Sequence, residues 1–162
     1  MLDQIDNLSA ELGAALKRCG WRVATAESCT GGGVGEAITR TAGSSAWYER
    51  GFITYTNEAK QELLGVRVET LQTCGAVSAQ TALEMARGAL AASRADIAVA
   101  LSGIAGPGGA TPGKPVGMVC FAWASKQGVT RTETSYFSGD RTEVRRQAIV
   151  TALQGLVEAL QA

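Results

Sequence analysis

The segment 96–104 is almost entirely apolar and shows no helical periodicity. An apolar run of this length bounded by polar and glycine residues predicts a strand that is buried on both faces. Such strands occur where helices cover both sides of a sheet. Two earlier segments, 21–26 and 52–56, also predict strands, and each is followed by a pattern typical of a helix. The central strand therefore indicates an α/β fold.

Further helices and strands are predicted where apolar residues recur at helix or strand spacing between turn or capping residues. They are a helix over 2–19 that begins near Leu2 and is ended by Gly20, a helix over 58–64 capped by Asn57 and ended by Gly65, a helix beginning at Ser78, a hairpin with strands over 116–124 and 129–137, and a last helix with a capping box of Asp140 and Glu143. Helices and strands alternate early and a strand pair comes late. This order predicts a three-layer α/β/α sandwich with a mixed, mainly parallel sheet.

Length and charge limit the classes of partner. The chain has 162 residues, which predicts a single domain over residues 1–162, and its 15 basic and 15 acidic residues cancel. Nucleic-acid-binding domains usually carry a basic excess, so no nucleic-acid partner is expected. No apolar run approaches the roughly 18 residues of a membrane span, and the acidic N-terminus does not resemble a signal peptide. We therefore expect a cytoplasmic protein without a membrane partner.

The sequence contains no histidine, which excludes several kinds of site within one chain. Ser-His-Asp and Cys-His catalysis and His-ligated metal sites are not available. The four cysteines are dispersed without a CxxC spacing, so no metal site and no redox pair is predicted. Any nucleophile must therefore be activated by a lysine, a tyrosine or a carboxylate.

The segment 26–33, with the sequence AESCTGGG, lies where a predicted strand leads into a helix. Ser28 is expected at the end of the sheet, where the glycines allow backbone amides to approach a ligand. We therefore expect Ser28 to be a nucleophile and the amides from Thr30 to Gly32 to bind an anion or an oxyanion. Cys29 is an alternative nucleophile. The alternative without chemistry is a plain glycine-rich turn in which a serine or threonine caps the helix.

Candidate bases follow the next predicted strand, in the sequence YTNEAK that begins at Tyr55. If the strand ends meet at one edge of the sheet, Tyr55 and Lys60 can approach Ser28. Burial lowers the pKa of a lysine, which would allow Lys60 to accept a proton. The alternative is a solvated lysine paired with Glu58 or Glu62.

A second glycine-rich loop and two arginines predict a ligand site at the same edge. The sequence SGIAGPGG begins at Ser102, at the end of the predicted central strand, and ligands of open α/β sheets bind beyond such strand ends. The loop lacks the lysine of a Walker phosphate-binding loop. Arg141 and Arg145 lie four residues apart near the start of the last helix, which suits a phosphate. Surface pairs with Asp140 or Glu143 are the alternative.

Five motifs occur together in one order. They are ESCTGG at 27–32, YxNxxKxxxLGV at 55–66, GAVS at 75–78, SGIAGPGG at 102–109 and FSGDR at 137–141. With these motifs, the sequence from about residue 5 to 160 resembles the C-terminal domain family of the competence/damage-inducible protein CinA. Five ordered motifs are far more specific than any single glycine-rich loop.

The resemblance implies an amidohydrolase that converts nicotinamide mononucleotide into nicotinic acid mononucleotide and ammonia, as do the family's stand-alone members, the nicotinamide-nucleotide amidohydrolases. This reaction belongs to pyridine-nucleotide (NAD) recycling. The resemblance implies Ser28 as the nucleophile with Tyr55 and Lys60 beside it, and no cofactor is expected. The residues expected to bind the substrate are Thr30, Gly31, Gly32, Asn57, Gly103, Gly106, Gly108, Arg141 and Arg145.

Two other functions stay open on the sequence. A non-catalytic nucleotide-binding module would use the same loops and arginines without an activated serine. A phosphate-cleaving enzyme would need carboxylates around Mg²⁺, and the sequence shows no such cluster. The small size of the chain, with Trp47, Phe52 and Trp123 in segments of undetermined burial, predicts a homo-oligomer.

Overall fold

The computed structural model describes residues 3–161, in which a five-stranded sheet lies between two layers of helices. The strands are β1 (Val23–Glu27), β2 (Tyr48–Ile53), β3 (Ile97–Gly103), β4 (Met118–Ser125) and β5 (Thr130–Tyr136). The helices are α1 (Gln4–Cys19), α2 (Gly33–Thr39), α3 (Asn57–Leu64), α4 (Val68–Cys74), α5 (Ala79–Ala91) and α6 (Arg141–Gln161). The strand order in the sheet is β2-β1-β3-β4-β5.

The sheet is mixed, as predicted, and its four strand pairings divide evenly between parallel and antiparallel. β1 pairs in parallel with β2 on one side and with β3 on the other, whereas β4 is antiparallel to both of its neighbours, β3 and β5. Four of the five strands therefore point in the same direction. The carboxyl ends of β1, β2 and β3 meet at one edge of the sheet, which is where proteins of this class bind their ligands.

The two faces of the sheet differ in the size of their side chains. One face carries large residues, such as Val99 and Phe121, which pack against α1, α2 and α6. The other face carries mainly alanines, such as Ala98 and Ala122, which pack against α3, α4 and α5. Successive residues of a strand point to opposite faces, so this division follows from alternating large and small residues in β3 and β4. The predicted three-layer sandwich is confirmed.

The alanine face allows the helices on that side to approach one another closely. Gly88 of α5 lies against the end of α3, where a β-carbon at position 88 would overlap the carbonyl oxygen of Leu64. Because of this overlap, any side chain at position 88 would displace the end of α3. The spacing between α3 and α5 therefore depends on this glycine.

Most of the predicted element ends agree with the structure. Gly20 and Gly65 follow α1 and α3 in the left-handed conformation, with φ of 69° and 66°. Ser78 caps α5, since its Oγ accepts a hydrogen bond from the amide of Thr81. The predicted hairpin is formed by β4 and β5. The predicted helix start at Leu2 lies outside the described residues.

Three element predictions are wrong in detail. Thr56, rather than Asn57, caps α3, because the Thr56 hydroxyl oxygen accepts the hydrogen bond from the amide of Ala59. β2 begins at Tyr48 and ends before Thr54, since backbone pairing with β1 extends through polar residues that do not resemble a strand. The seven-residue helix α4 was not predicted, because its N-cap position forms no side-chain hydrogen bond and left no capping signal.

The start of α6 shows only half of the predicted capping box. Asp140 Oδ1 accepts a hydrogen bond from the amide of Glu143, as predicted. The Glu143 carboxylate instead accepts hydrogen bonds from Arg146. Arg146 is therefore turned away from Arg141 and Arg145, so only those two arginines of this turn face the sheet edge.

Two features of residues 3–161 bear on the predicted partners. Over this range, no helix combines the length and the hydropathy that crossing a membrane requires. Nor do three or more Cys, Asp or Glu side chains of this range gather where they could hold a metal ion. Trp47 and Trp123 are buried in the core and Phe52 is half-buried, so the two tryptophans give no support to the predicted homo-oligomer.

Candidate active site

Ser28 directly follows β1 at the edge where the parallel strands end. Its amide donates a hydrogen bond to the carbonyl oxygen of Leu101 in β3, which continues the sheet pairing and fixes the backbone at this point. The chain then turns through Gly31 and Gly32, whose φ values of 58° and 103° favour glycine. The Ser28 side chain is therefore held on a rigid strand end, with the residue 7% exposed.

Lys60 of α3 reaches the serine. Its Nζ lies 3.0 Å from Ser28 Oγ, 2.9 Å from the carbonyl oxygen of Thr54 and 3.5 Å from the carbonyl oxygen of Tyr55. The residue is only 1% exposed, and it forms no ion pair with a carboxylate of the described chain. The alternative of a solvated lysine paired with Glu58 or Glu62 is therefore wrong.

The surroundings of Lys60 favour its neutral form. Burial lowers the pKa of its ammonium group from the ordinary value of 10.5, because water that would stabilise the charge is excluded. A neutral amine has two N–H donors, which match the carbonyl oxygens of Thr54 and Tyr55. Its lone pair is then left for the hydroxyl hydrogen of Ser28. This arrangement has the geometry required of a serine and its general base.

The amides of the glycine-rich turn do not lie open as predicted. Gly31 donates its amide hydrogen to the carbonyl oxygen of Ser28, and Gly32 donates to Oε1 of Glu27. Glu27 also accepts hydrogen bonds from the first amides of α2. The expectation that the Gly31 and Gly32 amides bind an anion is therefore wrong, because an internal carboxylate and a carbonyl already occupy them.

Two amides of the turn remain available. The amides of Cys29 and Thr30 form no hydrogen bond to another residue within the described chain. Arg145 of α6 holds the adjoining backbone, since its Nε and a terminal nitrogen donate to the carbonyl oxygens of Cys29 and Thr30, each at 3.2 Å, and the Cys29 carbonyl shares its peptide unit with the Thr30 amide. Ser28 and these two amides therefore form a small, fixed constellation.

The thiol of Cys29 is a poor candidate for the nucleophile. The residue is 6% exposed, and burial raises the pKa of its thiol from 9.0 to about 11. A thiol with this pKa is protonated at neutral pH and is therefore a weak nucleophile. The geometry favours Ser28 over the alternative of Cys29.

Arg141 connects three segments at the rim of this edge. One terminal nitrogen donates to the carbonyl oxygen of Gly106 at 2.9 Å, and the other donates to the hydroxyl oxygen of Tyr55 at 2.9 Å. Both Arg141 and Tyr55 are exposed. Tyr55 therefore faces Lys60 with its main-chain carbonyl, while its hydroxyl group is held by Arg141.

The other predicted binding residues have mixed positions. Asn57 is exposed in the first turn of α3, and Gly108 is exposed in the loop after β3. Packing explains why positions 103 and 106 are glycines, since a β-carbon at Gly103 would lie 2.6 Å from Val119 and one at Gly106 would lie 2.5 Å from Val116. The structure does not bring Asn57 or Gly108 into the hydrogen-bonded group around Ser28.

Sequence reasoning missed two residues that build the site. Glu27 organises the turn after Ser28, and Thr54 supplies a carbonyl acceptor for Lys60. Glu27 could have been suspected, because a carboxylate at the end of a buried strand needs several donors. Thr54 left no signal, since it acts through a main-chain atom that every residue carries.

The sequence profile of the CinA C-terminal domain matches residues 5–160. The chain belongs to the CinA C-terminal domain family. Nicotinamide-nucleotide amidohydrolase PncC of Escherichia coli (strain K12) is 58% identical over 153 residues, which are 94% of this chain and 93% of that protein. The protein of the same name from Pseudomonas putida is 50% identical over 157 residues, which are 97% and 98% of the two chains.

Solved structures of CinA proteins share the fold. The crystal structure of the competence/damage inducible protein CihA from Agrobacterium tumefaciens matches with a TM-score of 0.95 and 48% identity, covering 100% of this chain and 98% of that one. Four of the five motifs that indicated the CinA family supply the contacts described above, through Ser28, Lys60, Gly106 and Arg141. The fifth, GAVS, instead forms the cap of α5 with Ser78.

Proposed function

We propose that the protein hydrolyses the carboxamide of a nicotinamide nucleotide, giving the nicotinic acid nucleotide and ammonia. The observation that carries this proposal is the 3.0 Å separation between Ser28 Oγ and the buried Nζ of Lys60. Relatives named nicotinamide-nucleotide amidohydrolase, at 50% and 58% identity over nearly the whole chain, support the choice of substrate. A non-catalytic binding module would have no need of a buried lysine against the serine.

In the first half of the reaction, Ser28 Oγ attacks the carboxamide carbon while Lys60 Nζ takes the hydroxyl proton. The free amides of Cys29 and Thr30 donate to the oxyanion of the tetrahedral intermediate, which is where fixed donors lower the barrier most. Protonated Lys60 then gives its proton to the leaving nitrogen. Ammonia departs, and the nicotinoyl group remains as an ester on Ser28.

In the second half, water attacks the ester while Lys60 takes one of its protons. The intermediate collapses, Ser28 recovers its hydrogen through Lys60, and the carboxylic acid leaves. One water is consumed and one ammonia is released, so the scheme is balanced without a cofactor. Lys60 contacts Ser28 Oγ, whereas the hydroxyl of Tyr55 contacts Arg141, so we assign the base to Lys60 and place Tyr55 at the rim, beside the substrate.

The dependence of the rate on pH tests the proposed base. Lys60 must be neutral to accept a proton, so kcat/KM should rise with pH along an acid limb whose inflection lies below the ordinary lysine value of 10.5. A profile measured from acidic to alkaline pH on the wild type and on Lys60→Met checks this. An acid limb that persists unchanged in a folded Lys60→Met contradicts Lys60 as the base.

The stability should respond to the same group. Since folding lowers the pKa of Lys60, the folded state binds this proton more weakly than the unfolded state does. The stability linked to this group is complete above pH 10.5 and decreases as the pH falls through the folded pKa. The free energy of unfolding of the wild type, relative to Lys60→Met, should therefore increase as the pH rises through this window.

The substrate phosphate is assigned to the two arginines at the rim. Arg141 is exposed and has its guanidinium directed across the edge. Arg145 lies one turn further along α6, and beyond the two nitrogens that bind the carbonyl oxygens of Cys29 and Thr30 it has a terminal nitrogen that donates to no residue of the described chain. The loops that contain Thr30, Gly106 and Gly108 would surround the ligand together with Asn57 and Gly103.

Arg141→Ala should raise KM for the nucleotide by about 10- to 100-fold with little change in kcat, since hydrogen bonds to charged groups contribute about 1.5–3 kcal/mol. KM for the unphosphorylated riboside should change much less. Arg146→Ala is the matched control, because Arg146 lies on the same helix but pairs with Glu143. An unchanged KM for the nucleotide in Arg141→Ala removes this residue from the phosphate site.

The proposed function is tested by measuring ammonia release from a panel of pyridine amides. Nicotinamide mononucleotide, nicotinamide riboside and nicotinamide are compared, with and without a chelator. We expect the mononucleotide to be hydrolysed fastest and the chelator to have no effect. Calorimetric binding of the mononucleotide without ammonia release would instead indicate a nucleotide-binding module, and loss of activity with the chelator would indicate a metal hydrolase.

We also infer that the chain acts as one domain in the cytoplasm, where a charged nucleotide substrate is retained. A homo-oligomer is supported by large hydrophobic side chains that are exposed in the isolated chain, among them Ile53, Leu63, Val68 and Tyr136. Sedimentation of the purified protein tests this assembly, and a monomer at working concentrations contradicts it.

A further inference from the structure

Glu27 is a buried carboxylate that the reaction scheme does not use. It is the last residue of β1 and is only 1% exposed. Its Oε1 accepts hydrogen bonds from the Thr30 hydroxyl at 2.6 Å and from the amides of Gly32 and Val34 at 3.2 and 2.9 Å. Its Oε2 accepts a hydrogen bond from the amide of Gly35 at 3.0 Å.

No cation accounts for this buried charge. Within residues 3–161, no lysine or arginine forms an ion pair with Glu27. Instead, three backbone amides and one hydroxyl group donate hydrogen bonds to the carboxylate. A buried carboxylate is unfavourable unless all of its acceptor sites are filled, so its presence here fixes the positions of its four donors relative to one another.

Glu27 is connected to both ends of the proposed oxyanion site, to one through the chain and to the other through a hydrogen bond. Ser28 is the next residue in the chain, and Thr30 is held by its hydroxyl group. The amides of Gly32, Val34 and Gly35 are consumed, whereas the amides of Cys29 and Thr30 are left free. The carboxylate therefore binds the amides at 32, 34 and 35 and leaves the amides of Cys29 and Thr30, the two that follow Ser28, without a partner in the described chain.

We propose that Glu27 is a positioning residue for the amidohydrolase reaction: its carboxylate fixes the turn so that the amides of Cys29 and Thr30 point at the oxyanion. This inference rests on the proposed function. Arg145 binds the carbonyl oxygens of Cys29 and Thr30, so it holds the peptide unit that carries the Thr30 amide and the unit that follows it. The turn is thus held from the sheet side by an anion and from the helix side by a cation.

Glu27→Gln tests the proposal with nearly unchanged volume. An amide side chain accepts at one end only, so it leaves at least one donor of the turn without a partner and lets the turn relax. We expect kcat to fall by about 10- to 1000-fold, up to the range seen when an oxyanion donor is lost. We expect KM to change by less than about threefold, because the substrate-binding groups at the rim are retained.

Glu84→Gln is the matched control. Glu84 on α5 accepts hydrogen bonds from the amide of Arg67 and the hydroxyl of Thr70, so it caps a helix start with the same kinds of donor but away from Ser28. Its substitution should lower the melting temperature without lowering kcat. Equal losses of kcat in both variants would show a general effect of stability and overturn the positioning role.

A second pair of variants keeps the proposal testable if Glu27→Gln does not fold. Thr30→Val removes only the hydroxyl donor, and Thr30→Ser retains it. We expect kcat to fall in Thr30→Val and to be largely preserved in Thr30→Ser. A normal kcat in Thr30→Val overturns the proposal, and so does a rise in KM at constant kcat in Glu27→Gln.

A readout that needs no amide substrate distinguishes failure of this proposal from failure of the proposed function. A fluorophosphonate probe phosphonylates an activated serine, and its phosphoryl oxygen occupies the oxyanion position while fluoride leaves. Mass spectrometry of intact protein gives the labelling rate of Ser28. We expect this rate to fall in Glu27→Gln and to stay normal in Glu84→Gln, whether or not nicotinamide mononucleotide is the substrate. Equal labelling of wild type and Glu27→Gln overturns the positioning role.

Discussion

Replacing Ser28 with alanine is expected to reduce ammonia release from nicotinamide mononucleotide by at least about 10⁴-fold, because the attacking oxygen is removed and only binding and the oxyanion donors remain. The fold should persist, since Ser28 contributes to the sheet through its backbone amide, which the variant retains. Substrate binding should also persist. Ammonia release measured under saturating substrate, together with calorimetric binding of the mononucleotide, checks both statements.

A second buried serine provides the control. Ser9 on α1 is 1% exposed and hydrogen-bonds to the carbonyl oxygen of Ile38, far from the sheet edge. Ser9→Ala should keep the wild-type kcat even if it lowers the stability. Substantial activity in Ser28→Ala that disappears in the double variant with Cys29→Ala would assign the nucleophile to the thiol and refute the scheme.

Replacing Lys60 with methionine should lower kcat by about 10²- to 10⁴-fold, the usual contribution of a general base. Methionine has a similar length and no charge, and it fills the space of a side chain that is 1% exposed. The variant loses the hydrogen bonds from the amine to the carbonyl oxygens of Thr54 and Tyr55, which lowers the stability, and it also loses an amine whose protonated form is disfavoured by burial, which raises the stability at neutral pH. A cooperative thermal transition shows that the variant is folded. Such a variant separates the chemical role of the amine from its packing.

The control for charge is Lys126→Met, in the exposed turn between β4 and β5. It removes one positive charge from the surface and should leave kcat, KM and the pH profile unchanged. A Lys60→Met variant that is stable and retains the wild-type rate and acid limb would exclude Lys60 as the base. Tyr55 would then have to be reconsidered for that role, despite the position of its hydroxyl group beside Arg141.

The pairing of Ser28 with Lys60 could be predicted because it follows from three local properties of the sequence. The chain lacks histidine, Ser28 directly follows one parallel strand, and Lys60 lies in the short capped helix that follows the next strand. Parallel strands bring such residues to one edge whatever the rest of the chain does. The helices capped by Ser78 and Asp140 and the hairpin could be predicted for the same reason, since each is marked by a capping or turn sequence.

The contacts that depend on individual atoms could not be predicted. A sequence shows that Tyr55 lies near Lys60, but not that the lysine binds the carbonyl oxygen while the hydroxyl binds Arg141. Nor does it show that Glu27 fills the amides of the following turn, because that contact requires the left-handed conformations of Gly31 and Gly32. The contact of Arg145 with carbonyl groups at positions 29 and 30 joins segments 115 or more residues apart.

The close contact between Gly88 and Leu64 links a residue of α5, which packs on the alanine face of the sheet, to the position of Lys60 in the active site. Leu64 ends the same short helix that carries Lys60, and that helix rests on the hydrogen atom of position 88. A methyl group at position 88 would displace α3 and so shift Lys60 Nζ relative to Ser28 Oγ, which is fixed at the end of β1. Displacements of about 1 Å are enough to lose about 10²-fold in rate. The distance between Ser28 Oγ and Lys60 Nζ thus depends on Gly88, which contacts neither atom.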